Sequence, residues 1–166
     1  MRFGVHLAAS GPQGTADRVG RLAARAEALG FESVFVSDHI VMPTEFGSAY
    51  PYGPPGTFSV ESSRNYFEPI VTLAWVAGAT RSVRLGISVL VVPLRNPVLV
   101  AKQLATLDAL SGGRLIIGIG VGWLVEEFEA LGNPHFRQRG SLSDEYLEIF
   151  RALWSGEPTA FDGRFY

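Results

Sequence analysis

Cysteine is absent from the 166 residues, which excludes disulfides, iron–sulfur clusters and thiolate zinc sites. Excess charge is absent too. Fourteen basic residues stand against 16 acidic ones, a net charge of −2, so nothing electrostatic argues for nucleic acid or an anionic membrane as partner. Lysine occurs only at Lys102. No apolar run is long enough to span a bilayer, since "LGISVLVVPL" is stopped by Pro93. The opening "MRFGVHLAAS" lacks the apolar core of a signal peptide and is interrupted by His6. No internal repeat is visible. The expectation is a cytoplasmic protein whose partner is a small molecule.

What is present is a core. Apolar residues make up 47% of the chain and charged ones 18%, the composition of a globular domain. Four strand-then-helix units can be read. Phe3–Leu7 is the first strand, and Thr15 caps a helix with Val19, Leu22, Ala26 and Leu29 at helical spacing, closed by Gly30. Ser33–Ser37 is the second strand. A second helix opens at Pro69, turns Ile70, Leu73, Ala74 and Ala77 inward, and ends near Arg81. The third strand, Leu85–Val92, is almost wholly apolar, as a parallel strand covered on both faces would be. Asn96-Pro97 starts a third helix with Val100, Leu104 and Leu107 inward, and Gly112-Gly113 ends it. Arg114–Gly120 is the fourth strand, and a last helix near Ser143–Trp154 carries Leu147, Phe150 and Trp154 on one side. This alternation predicts βαβ units and a parallel sheet.

One connection is out of scale. The 41–66 loop is rich in Pro, Gly and aromatics (Phe46, Tyr50, Tyr52, Phe58), and a loop of that length in a compact domain suggests a functional lid. At the carboxyl ends of the strands, where parallel α/β folds bind ligands, unusual residues converge. His6 ends the first strand, Ser37-Asp38-His39 the second, Ser88 lies on the third, and "GIGVGW" (118–123) closes the fourth. Each has a plainer reading as well. His6 suits a hydrogen-bonded core histidine as well as a ligand contact, and Asp38 suits a cap for the long loop. The glycines of "GIGVGW" lack dinucleotide-binding spacing but let backbone approach a flat ligand. No spacing among His6, Asp38 and His39 supports a metal, so none is expected. Glu126-Glu127 reads as a helix N-terminal turn rather than an acid–base dyad, because adjacent residues diverge around a helix.

Together "SDHIVMP", "GISVLVVPLRNP", "QLATLDALSGGRLIIGIGVGW" and "RALWSGEP" resemble the luciferase-like monooxygenase superfamily, and within it the oxidoreductases that use the deazaflavin coenzyme F420. The resemblance runs from Phe3 to Tyr166. It implies a TIM (β/α)8 barrel, of which this chain carries about the first four units, with cofactor at the strand carboxyl ends. It places Asp38 at the ring edge and His39 facing the reacting carbon and substrate. The expected catalytic pair is His39 as the proton partner, which its near-neutral pKa suits, with Asp38 tuning or orienting it. It implies a non-prolyl cis peptide at Ser88-Val89 bulging against the ring, backbone contacts from Val121 and Gly122, and Glu126 near the cofactor's side chain. Where sugar-phosphate-oxidising relatives carry an acidic residue, this chain has Trp123, which points to an apolar or planar substrate. Trp123 and His6 are the candidate substrate contacts. An FMN-dependent monooxygenase of the same superfamily is the alternative, and a non-catalytic half-barrel relative a further one. In the family "FDGRFY" leads on toward a fifth strand, so the resemblance implies the amino-terminal half of a barrel: a fragment, a truncated product, or a half that pairs with its own copy or with a complementary chain.

Overall fold

A computed structural model describes residues 1–54 and 65–166. Four parallel strands, β1 (Gly4–His6), β2 (Ser33–Val36), β3 (Arg84–Val91) and β4 (Leu115–Gly120), lie in sequential order. Each neighbouring pair is joined through a helix: α1 (Ala16–Ala28), α2 (Pro69–Ala79) or α3 (Pro97–Ser111). Short α4 (Val125–Ala130) and long α5 (Arg139–Trp154) follow β4. A doubly wound sheet reverses its strand order at a switch point. This one advances steadily, as successive units of a (β/α) barrel do.

Local chemistry sets the helix ends. The Thr15 hydroxyl accepts from the Arg18 N–H at 3.3 Å, the Glu68 carboxylate from the Val71 N–H at 2.8 Å, and Asn96 Oδ1 from the Leu99 N–H at 3.1 Å. Gly112 ends α3 at φ +73°, a left-handed conformation that glycine adopts without a Cβ clash.

Val34, Val36, Leu85 and Ile87 of the strands pack with Ala23, Leu73, Val76, Val100, Leu104 and Ile149 of the helices in one core. Alternate strand positions face the other way. There the Phe35 ring lies over Gly86, where a Cβ would stand 2.2 Å from it. A satellite cluster of Val91, Leu94 and Phe128 packs beyond the end of β3.

Element boundaries agree with the sequence reading to within a residue or two, apart from α5. It starts at Arg139 rather than Ser143, because "RGSL" shows no apolar period to announce its first turn. Trp154 is 44% exposed rather than inward, its indole N–H donating to the Ala101 carbonyl at 3.1 Å. Ala74 faces solvent and Val76 takes the buried position in α2. Among the described residues, no helix is long and apolar enough to cross a membrane.

Candidate functional site

β2 ends by placing a carboxylate and an imidazole in the interior, Asp38 at 4% exposure and His39 at 8%. Burial of either without a partner would cost several kcal/mol or so. Asp38 finds its partners at the end of the next strand and just past it. Its Oδ2 accepts from the Val91 N–H at 2.8 Å and from Arg95 Nη1 at 2.7 Å, and its Oδ1 from Arg95 Nη2 at 2.8 Å. Arg95 also reaches Glu68 at the start of α2, at 2.8 Å. Burial works to lower the Arg95 pKa, but the bonds and charges of Asp38 and Glu68 outweigh it and raise it.

His39 is held by another carboxylate. Its Nδ1 lies 2.8 Å from Glu127 Oε2, and Glu127 Oε1 accepts from the N–H groups of Ile40 at 2.7 Å and Val41 at 3.2 Å. The expected orienting residue, Asp38, is engaged with Arg95 and Val91 instead. Bidentate geometry directs a buried carboxylate toward a guanidinium, and that leaves His39 to Glu127.

β3 contains the non-prolyl cis peptide Ser88-Val89. The pairing register with β4 shifts between Ile87 and Leu90, the signature of a bulge. Val89 is thrown outward to 41% exposure and lies across β4. A Cβ on Gly120 would stand 2.3 Å from Val89 Cγ2, and one on Gly118 would stand 2.8 Å from the Ile87 carbonyl oxygen. The glycines of "GIGVGW" thus accommodate the bulge, and Gly122 continues the chain at φ +81° beside Val91 and Phe128.

A cavity of about 330 Å³ opens here. Asp38, His39, Val89, Val121, Gly122 and Trp123 line it together. Three other expected site residues are not part of its wall. Ser88 contributes through the bulge, exposed His6 ends β1 elsewhere, and Glu126 is turned to the 41–66 loop. Glu126 Oε1 accepts from the N–H groups of Gly47 at 2.7 Å and Ser48 at 3.1 Å, while its Oε2 accepts from the Ser48 hydroxyl at 2.7 Å. Burial would raise its pKa, but these bonds, that of the Ser48 hydroxyl foremost, hold it below the usual carboxylate range.

The described part of that loop supplies the aromatic share of the wall. Tyr50, Tyr52 and Tyr66 line the cavity, and the rings of Phe46 and Tyr50 meet Trp123 edge-on at 6.1 and 5.3 Å between centroids. Phe58 lies outside the described residues. Trp123 and Tyr66 both stand edge-on to His39, at 6.3 and 5.1 Å. The Tyr66 hydroxyl donates to Ser37. Burial raises its pKa, the Ser37 bond opposes the rise, and the charges of Asp38 and Glu127 add to it, so Tyr66 is a donor at neutral pH.

The site's chemistry is therefore an apolar bulge, an aromatic wall and one imidazole backed by a carboxylate. A larger hollow of about 590 Å³ between α3, β4 and α5 has a single titratable group, Asp108. Its Oδ1 accepts from the Leu115 N–H at 3.2 Å, and this hollow lacks the convergence of strand ends. Among the described residues, no three metal-binding side chains come together.

The sequence singles out neither Arg95 nor Tyr66, and it marks Glu127 only as part of a helix N-terminal turn. Arg95 carried a signal, as the first charge after the long apolar run of β3 and three residues past the end of that run. Glu127 stands three residues after buried Leu124 and so falls on the buried side of its helix turn, while Glu126 does not.

Comparison with known proteins agrees with this architecture. A protein of Mycobacterium tuberculosis with no described function is 39% identical over 145 residues, 87% of this chain and 50% of its own length. An F420-dependent glucose-6-phosphate dehydrogenase of Kineococcus radiotolerans is 34% identical over 161 residues, 95% of this chain and 43% of the relative. The solved monooxygenase RslO1 from Streptomyces bottropensis superposes with a TM-score of 0.77 at 28% identity, over 100% of this chain and 46% of that one. The chain spans about half the length of the curated relatives it matches. The family model of the luciferase-like monooxygenases matches residues 1–166, and the chain belongs to that family.

Proposed function

We propose that the cavity is the ring-side part of a deazaflavin site, where hydride passes between coenzyme F420 and a small apolar or planar organic molecule. The observation that carries this reading is the Ser88-Val89 bulge, which presents a half-exposed valine in the same cavity as His39. The residues present fit such a group. Gly120 has no Cβ to push Val89 out of place, and Val89, Val91 and Val121 give the cavity an apolar surface for a flat ring.

The coenzyme, when bound, supplies a carbon that gives or takes hydride. The chain's own residues do the rest. Val89 backs the ring and the Val121-Gly122 backbone borders it. His39 gives or accepts the accompanying proton, as an imidazole suits near neutrality. Asp38 fixes the β2 end against β3 through Arg95. Trp123, with Tyr50 and Tyr52, excludes water and favours an apolar or planar substrate over a sugar phosphate. Glu126 holds the 41–66 loop, which acts as a lid through its aromatic side chains.

The second reading, an FMN-dependent monooxygenase, draws on the likeness to a solved monooxygenase and on a valine bulge that serves either ring. Titration of the protein with F420 and with FMN, followed by absorbance and fluorescence, tests both. A saturable response to F420 alone supports the first reading and a response to FMN alone supports the second. No saturable response to either ring sinks both.

A further inference from the structure

We infer that Glu127 is the positioning residue of this site, setting which nitrogen of His39 carries the proton. This deepens the reading of His39 as proton partner and rests on it. Glu127 is 2% exposed in the first turn of α4. Its Oε1 is taken by the N–H groups of Ile40 and Val41, which can only donate. Its Oε2 meets His39 Nδ1 at 2.8 Å. An ionised carboxylate only accepts, so Nδ1 is the donor, and the neutral ring carries its proton there and its lone pair on Nε2. The two backbone bonds come from the residues directly after His39, so they fix the carboxylate relative to the ring it serves. Asp38 takes no part, since its oxygens face Arg95 and Val91.

A group that merely tied down the start of the loop would leave the imidazole tautomer alone. Glu127→Gln separates the two roles at constant size. The Ile40 and Val41 N–H groups require the Gln carbonyl, which turns the NH₂ toward Nδ1. An amide NH₂ only donates, so Nδ1 becomes an acceptor and the proton moves to Nε2.

The test is a long-range ¹H–¹⁵N spectrum of the protein labelled at histidine, recorded at a pH where the ring is neutral. We expect His39 to show the Nδ1–H pattern in the wild type and the Nε2–H pattern in Glu127→Gln. If the site turns over as proposed, kcat falls by about 10²- to 10⁴-fold, the usual weight of a general acid or base, with KM little changed. An Nε2–H pattern in the wild type, or an unchanged pattern in the variant, overturns the inference. The wild-type spectrum decides by itself if Glu127→Gln does not fold. A tautomer that inverts with kcat unchanged leaves Glu127 in its positioning role and removes His39 from the proposed chemistry.

Discussion

Arg95→Met is the sharpest perturbation of the site's frame. The Asp38 side chain is 0% exposed and Arg95's is 10% exposed. Two of the three bonds to the carboxylate come from the guanidinium, at 2.7 and 2.8 Å. Methionine keeps most of the volume and removes the charge, leaving Asp38 with the Val91 N–H alone. Removing one partner of a buried ion pair costs about 3–5 kcal/mol. With 166 residues at about 2.1 cal/mol/K each, the unfolding entropy is about 0.35 kcal/mol/K, so a loss of about 4 kcal/mol lowers Tm by about 11 °C. Glu68 loses its ion-pair partner but keeps the Val71 N–H, and because its side chain is 35% exposed water takes over at the other oxygen.

Thermal melts followed by far-UV circular dichroism measure the change, and a double-mutant cycle isolates its cause. Asp38→Leu combined with Arg95→Met removes both charges, so the double variant should melt above Arg95→Met alone, with a coupling of about 2–3 kcal/mol. A single variant within about 2 °C of the wild type, less than 1 kcal/mol on the same scale, refutes the argument. So does a double variant that melts no higher than Arg95→Met.

Three further outcomes are expected. Glu27 accepts from the N–H groups of Arg81, Ser82 and Val83 and from the Ser82 hydroxyl; burial works to raise its pKa, but these bonds bring it down to about 2. A lowered folded pKa stabilises above the unfolded carboxylate value and is lost as pH falls through the folded one. Glu27→Gln should therefore cost about 1–2 kcal/mol in urea denaturation at pH 7, and the gap to the wild type should shrink from pH 4.5 toward pH 2; a gap constant with pH refutes the charge assignment. Gly120→Ala sets a Cβ against Val89, so it should cost about 1–3 kcal/mol by overpacking and weaken ring binding in the F420 titration; unchanged binding argues against the bulge as the ring's support. Glu126→Gln should speed hydrogen exchange at the Gly47 and Ser48 amides by about tenfold, and in the wild type those amides should loosen only as pH drops below the usual carboxylate range; equal exchange in both proteins means that the loop is held by something else.

The strands, two of the helix N-caps, the Pro69 helix start and the glycine stops were legible because their causes are local. Thr15, Pro69, Asn96 and Gly112 act within one turn of where they stand. That some strand-end residues gather was legible too, since a parallel sheet collects its strand ends on one side: Asp38, His39 and Trp123 line one cavity, whereas His6 and Ser88, read at the same edge, do not. The first turn of α5 and the exposure of Trp154 were not, because "RGSL" carries no period and a periodic position does not say whether anything covers it.

The pairings were illegible for a different reason. Asp38 and Arg95 are 57 positions apart, His39 and Glu127 are 88 apart, and one sequence offers no rule joining them. Satisfaction of buried charge offers one afterwards. Two ionisable groups side by side at a strand end cannot share one partner, because their chemistry differs. The carboxylate requires donors, which the guanidinium and the Val91 N–H supply. The imidazole requires an acceptor, and the remaining strand-end segment must bring it. The Glu126-Glu127 pair fits that need because adjacent helical residues diverge: one carboxylate turns in to His39 while the other turns out to Gly47 and Ser48. The divergence that argues against an acid–base dyad is thus what lets one helix turn hold both the imidazole and the loop beside it.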